Sequence, residues 1–346
     1  MKSGTRVIIT KAGGVSAITT EPMHATEPGE DEVRIKVAYA GINFADLLMR
    51  LGFYRPLPPF PFTPGYELSG VVDALGKGVS HLEVGQRVVA AMRTGGQASF
   101  DNAPKDRVIP LPDGFSLQKA ASTPVTYMTA HHMLHHLGHL RSEDKVLIHG
   151  GAGGVGTAAL QLCQWAGVSK IWATSSKQKH GIIEAYGARA IDRHNEDFLA
   201  IIKAETDGKG VDHVLDPIGG DNLRRSLSCL AEGGRLYTYG MSAVAPSQKR
   251  SPLKALFAWR KTPKFDALRL MSRNRGVFGV HMGTWSNEAV MQEQLDRIVE
   301  GIQSGHLEPV VDRVFDAKDV REAHQYIHDA KNIGKVLLRF HDINDA

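Results

Sequence analysis

The segment His149-Gly-Gly-Ala-Gly-Gly-Val-Gly156 constrains this chain more than any other. It follows the apolar run Val146-Leu-Ile148 and opens a stretch in which Val155, Ala158, Ala159, Leu162, Cys163 and Ala166 recur at helical spacing. Strand, glycine turn and helix are the context in which the G-x-G-x-x-G spacing, met by Gly151, Gly153 and Gly156, predicts a dinucleotide site. The first glycine permits a tight turn, the second lets backbone N–H groups approach a pyrophosphate, and the third lets the helix pack close to its strand. The helix N-terminus then presents its partial positive charge to the phosphates.

The chain around this motif alternates from about Thr129 onward. Val146–His149, Ile171–Thr174, His213–Leu215, Arg235–Tyr239 and Val277–Val280 read as strands, with helical apolar spacing between them. That alternation predicts a doubly wound α/β sheet, parallel, with helices on both faces. The earlier part is different. Thr5–Ile9, Glu32–Ala38, Leu68–Ala74 and Gln86–Ala91 read as strands, and Pro56-Leu-Pro-Pro-Phe-Pro61 forbids a helix. Length agrees with two domains in 346 residues. A hydrophobic fraction of 42% and a charged fraction of 23% are those of a globular chain. No apolar run reaches the ~18 residues of a membrane span, and no signal-peptide-like apolar stretch follows Met1-Lys-Ser-Gly-Thr-Arg6, so a cytoplasmic location is expected. Two cysteines, Cys163 and Cys229, build neither a disulfide framework nor a four-cysteine zinc lobe. The formal charge of +4 gives no reason to expect a nucleic-acid partner.

The end of the second strand of a doubly wound fold selects the cofactor. An acidic residue about 20 positions past the first glycine favours NAD. Here Ala173-Thr-Ser-Ser-Lys-Gln-Lys179 carries hydroxyls and lysines and no carboxylate, which predicts NADPH.

Ala40-Gly-Ile-Asn-Phe-Ala-Asp46, Thr63-Pro-Gly-Tyr-Glu-Leu-Ser-Gly-Val-Val72, Ala152-Gly-Gly-Val-Gly156, Asp216-Pro-Ile-Gly-Gly220 and Asn332-Ile-Gly-Lys-Val336 carry a family likeness. By them the chain resembles the zinc-free quinone oxidoreductase branch of the medium-chain dehydrogenase/reductase superfamily. Tyr237-Thr-Tyr-Gly-Met241, Lys179-His180 and a long insert from Ser242 to Arg275 bring it nearest the vesicle amine transport protein-like group. The resemblance implies a GroES-like, β-rich catalytic domain over residues 1–124, a Rossmann domain over 125–286 with the insert at about 242–275, and a return to the catalytic domain over 287–346. In zinc-dependent members a cysteine stands at the place of Asn43 and a histidine at that of Tyr66. Both are absent, although Glu67 remains, so no metal site is expected. Histidines at helical spacing in His131-His-Met-Leu-His-His-Leu-Gly-His139 are read as structural.

What the resemblance implies is hydride transfer from NADPH to a quinone or an α,β-unsaturated carbonyl compound. Asn43 is expected to position the acceptor oxygen, Tyr54 to bind substrate or supply a proton, and Asp46 to orient the loop. Thr129 is expected beside the nicotinamide amide, and Gly153, Gly154 and Val155 over the pyrophosphate. Ser175 and Lys179 are expected at the 2′-phosphate, with Arg193 standing where the family commonly has a tyrosine. Tyr239, Gly240 and Met241 are expected near the ribose, Phe278 and Val280 at the carboxamide, and Asn332 and Lys335 closing the cofactor cleft. A homodimer joined through Val277–Val280 is expected. The insert interleaves Lys254, Arg260, Lys261, Lys264 and Arg269 with Leu253, Leu256, Phe257, Trp259 and Phe265. It is read as a flap or as a peripheral membrane contact. The alternative function is therefore a nucleotide-binding protein with little catalysis that binds lipid, membrane or a protein partner.

Overall fold

A computed structural model describes residues 2–245 and 247–343. The chain divides into two compact units, one of Met1–Val125, Ser247–Arg250 and Pro309–Ala346, the other of Thr126–Pro246 and Ser251–Glu308.

The second unit carries the glycine turn. Its sheet has six parallel strands: Lys145–His149, Lys170–Ser175, Arg189–Asp192, Val211–Asp216, Leu230–Thr238 and Gly276–Gly279. Numbered in chain order they lie 3-2-1-4-5-6, the doubly wound arrangement in which the strand order reverses between the first and fourth. The period of two sends alternate side chains to opposite faces. Val146, Ile148, Ile171, Ala173 and Leu215 pack with Ala158, Ala159, Leu162 and Cys163 of helix Gly154–Trp165. Leu147, Trp172, Val214 and Leu236 pack with Phe198 and Ile202 of helix Phe198–Glu205 and Leu223 of helix Gly220–Cys229. Each such fully buried aliphatic side chain stabilises the unit by roughly 1.5–3 kcal/mol.

The first unit is built on a mainly antiparallel sheet in the order Val311–Asp316, Lys335–Arg339, Glu32–Ile42, Glu67–Leu75, Arg87–Ala91, Val108–Pro110, with Phe100–Pro104 paired to Glu32–Ile42. Two helices of this unit, Phe44–Leu51 and Val320–His328, pack on each other. The first ends at Gly52, whose φ of 75° closes the last turn through N–H bonds to Leu48 and Met49 carbonyls.

The sequence predicts a return to the first unit near residue 287, and the structure places it at Pro309. Helix Glu288–Gln303 stays with the second unit because Ile298 enters that unit's core and Gln294 hydrogen-bonds His132. Within the insert, Ser247–Arg250 belongs to the first unit, tied there by Gln248 to Asp329 and by Arg250 to the Leu51 carbonyl. The rest of the insert forms helices Pro252–Lys261 and Ala267–Met271. Pro252 begins the first of these, where a missing N–H costs nothing, and Pro263 lies just beyond its end.

Candidate active site

Helix Phe44–Leu51 presents the first unit's chemistry at its N-terminus. The Asp46 carboxylate Oδ2 accepts the Asn43 backbone N–H at 2.8 Å, a bond that fixes the entry to the helix. Asp46 is wholly buried, and desolvation pushes its pKa up to about 7 against the opposing pull of the Asn43 and Gly65 N–H groups and Lys335. The carboxyl therefore faces backbone N–H groups at the helix entry and not solvent.

Asn43 is half-buried. Its Oδ1 accepts from Lys335 Nζ at 2.7 Å, and its Nδ2 donates to Glu67 Oε1 at 3.0 Å, which leaves one amide hydrogen of Nδ2 for another acceptor. Lys335 Nζ also donates to Glu67 Oε1 at 2.6 Å and to the Ile42 carbonyl at 3.0 Å. Three donors thus meet three acceptors. Lys335 is buried, and within this cluster it is the counter-ion of Glu67. Glu67 Oε2 in turn accepts the Val125 N–H. Register creates the cluster. Val336 pairs with Ile42 and Leu68 with Ala40, so Lys335, Asn43 and Glu67 converge at neighbouring strand ends. Gly41 makes the room, since a Cβ there would lie 2.5 Å from Glu67 Oε1. Asn332 orients the turn before Lys335 through Nδ2 to the Gly334 carbonyl.

Tyr54 lies edge-on to Tyr66, with ring centroids 6.4 Å apart, and the two phenols share a hydrogen bond. Burial raises the pKa of both, with Asp46 adding to the effect. Tyr54 therefore stays protonated and is suited to donate a hydrogen bond.

In the second unit the glycine turn follows the first strand at once. A Cβ on Gly156 would overlap the Gly150 carbonyl oxygen, and one on Gly151 would lie 2.6 Å from Ala173 Cβ. Helix Gly154–Trp165 thus begins against the turn with Gly153 as its cap, which leaves the N–H groups of Gly154 and Val155 at a helix N-terminus. This cradle fits a pyrophosphate. The sequence did not reveal what braces it. Buried His149 bonds Thr174 and, through Nε2, Ser226 at 3.0 Å, and Ser226 donates to Asp216 at 2.7 Å. Asp216 then accepts from the Ile218 and Gly219 N–H groups, fixing the turn after the fourth strand. The adjacency of His149 to the glycines was the available signal.

Ser175 and Arg193 come together at the ends of the second and third strands, where the Arg193 N–H donates to the Ser175 carbonyl at 2.9 Å. The Ser175 side chain is buried and donates to the Ser176 carbonyl, Lys179 is half-buried in the turn that follows, and Arg193 is exposed. Tyr239 donates its N–H to the Asp216 carbonyl, and Gly240 and Met241 continue past the fifth strand. Phe278 stacks on Tyr237 at 5.7 Å, and Val280 is buried with its N–H on the Thr238 carbonyl. Thr129 is buried on helix Pro124–His131. The histidine run continues that helix as a π-helix, His132–Leu137. His131 and His135 stack at 4.7 Å, and burial pushes them down to about 3 and about 4, so both are neutral at pH 7.

These features can be set beside known proteins. Rat synaptic vesicle membrane protein VAT-1 homolog is 36% identical over 339 residues, which cover 96% of this chain and 83% of the relative. The zinc-binding dehydrogenase family matches residues 186–338, and the alcohol dehydrogenase GroES-like domain matches residues 29–113. The chain belongs to the medium-chain dehydrogenase/reductase superfamily. Within this superfamily, a quinone oxidoreductase-like protein 2 homolog of Nematostella vectensis is 30% identical over 338 residues, covering 96% of this chain and 88% of the relative. Escherichia coli quinone oxidoreductase complexed with NADPH matches with a TM-score of 0.85 at 27% identity, over 97% of this chain and 99% of that one.

A zinc ion is implied by one branch of the medium-chain dehydrogenase/reductase superfamily, and the donor set here does not fit it. Asn43 and Tyr66 replace the thiolate and imidazole, and the Lys335 ammonium holds the carboxylate that remains. Among the described residues no group of three or more His, Cys, Asp or Glu side chains is placed to hold a metal ion.

Proposed function

We propose that the protein is an NADPH-dependent, zinc-independent reductase that transfers hydride to quinones or α,β-unsaturated carbonyl compounds. NADPH supplies the hydride. The observation that carries this reading is the Lys335–Glu67–Asn43 cluster, in which an ammonium holds the carboxylate and an amide N–H of Asn43 is left to donate. A quinone or enone is already electrophilic, so hydrogen-bond donors on its oxygen suffice to support the charge that develops there. Asn43 and Tyr54 are the two donors of that role, and Asp46 holds the first in place. Ser175, Lys179 and Arg193 take the 2′-phosphate as donors and positive charge. The test is steady-state kinetics. Tyr54→Phe and Asn43→Ala should each lower kcat with folding intact by circular dichroism, and unchanged kcat in both variants would remove them from the reaction.

We also propose a homodimer paired through strand Gly276–Gly279, which among the described residues has a neighbouring strand on one side only. A monomer in sedimentation at micromolar concentration would refute it. One observation favours a second reading as an added property. Leu253, Phe257 and Trp259 are 71, 65 and 65% exposed on a helix ending in Arg260 and Lys261. No helix among the described residues is long and apolar enough to cross a membrane. The reading is therefore peripheral contact with an anionic bilayer, tested by co-sedimentation with phosphatidylserine vesicles before and after Trp259→Ser with Phe257→Ser.

A further inference from the structure

Arg50 sits on the last turn of helix Phe44–Leu51 and is fully buried. None of its Nε, Nη1 and Nη2 atoms has an acceptor among the described residues. The carboxylate one turn earlier, Asp46, is turned to the Asn43 and Gly65 N–H groups and does not neutralise it. Burial alone acts on the guanidinium and pushes its pKa down to about 10, so the charge persists at neutral pH. On the facing helix, Val320–His328, His324 is equally buried, and neither ring nitrogen has a partner among the described residues. Burial, the Arg50 charge and His328 hold His324 well below the usual histidine pKa, so it is neutral and carries one N–H.

This is an unusual concentration of unmet donors. A buried donor without an acceptor is costly, and a buried charge without a counter-charge more so. Neighbouring Leu47 and Ala323 are wholly buried and supply no polar side-chain atom. We propose that the Arg50 guanidinium and the His324 imidazole, facing each other between these two helices, form an enclosed binding site for a small monovalent inorganic anion of chloride size. Enclosure sets the size, because both side chains are fully shielded from solvent. The single positive charge sets the valence. The flat fork of the guanidinium and the imidazole N–H provide the hydrogen bonds. The site is independent of the reductase reading, and its tests use no turnover.

Two measurements decide it, both on the full chain. In the first, Tm is followed as sodium gluconate is exchanged for sodium chloride at constant ionic strength. A ligand bound only by the folded state raises Tm, here by roughly 2–4 °C between chloride-free buffer and 100 mM chloride. In the second, crystals are transferred to sodium bromide and the anomalous map is inspected at Arg50. One bromide peak against the guanidinium is expected. Arg50→Met, similar in volume and uncharged, should lose both the chloride shift and the peak while melting no lower than the parent without chloride. If that variant does not fold, the bromide map of the parent protein still decides. Ordered waters on Arg50 with no bromide peak, or a chloride shift that survives in Arg50→Met, would overturn the proposal.

Discussion

Removing the Lys335 ammonium should be among the most damaging single changes in the first unit, for a reason that can be quantified. Lys335 is 4% exposed and Glu67 not at all, so Lys335→Met leaves a carboxylate buried with its counter-ion gone. Breaking a buried pair in this way costs about 3–5 kcal/mol. At about 2–4 °C per kcal/mol for a unit of this size, Tm should fall by roughly 6–20 °C. Replacing both partners removes the buried charge together with its desolvation. Lys335→Met with Glu67→Leu should therefore cost much less than the two single changes added together, with a coupling of at least ~2 kcal/mol. The assay is chemical denaturation of the four proteins of this cycle. Strictly additive single effects, with coupling under about 0.5 kcal/mol, would show that the ammonium and carboxylate do not compensate each other.

Asp46→Asn should flatten part of the pH dependence of stability. Its carboxyl is displaced from 3.8 to about 7, so the stability it contributes is full below pH 3.8 and is lost as pH rises through 7. That displacement corresponds to roughly 4 kcal/mol. His131 and His135, held low, change stability in the opposite sense as pH rises, so the difference between parent and variant is the quantity to measure. Gly156→Ala should abolish NADPH binding in titration calorimetry, because its Cβ overlaps the Gly150 carbonyl. Lys179→Ala should weaken NADPH by roughly tenfold while leaving NADH nearly unchanged, and equal losses for the two cofactors would remove Lys179 from the 2′-phosphate.

How much of this was legible in the sequence follows from the range of the interactions. The glycine turn and its helix are local, and Gly151, Gly153 and Gly156 sit where spacing placed them. The strand order and the two-faced burial of Val146 to Ile148 follow from alternation. The pairing of Lys335 with Glu67 and Asn43 was not legible, because these partners lie 268 and 292 residues away and meet it through strand register. The end of the second unit was misplaced because helix Glu288–Gln303 is amphipathic like any other, and only its contacts show which core it serves. Arg50 gave no sequence signal at all. An arginine on an amphipathic helix is read as a solvated charge, and its burial arises from the packing of Val320–His328 across it.

Zinc-independent reduction by NADPH would be read from the initial rate of NADPH oxidation with an ortho-quinone, a para-quinone and a 2-alkenal, each repeated with NADH and with a zinc chelator. A zinc-independent NADPH reductase should turn over at least one acceptor class, prefer NADPH clearly and lose no rate on chelation. No turnover of any acceptor by protein that binds NADPH tightly, or activity abolished by the chelator and restored by zinc, would contradict this function.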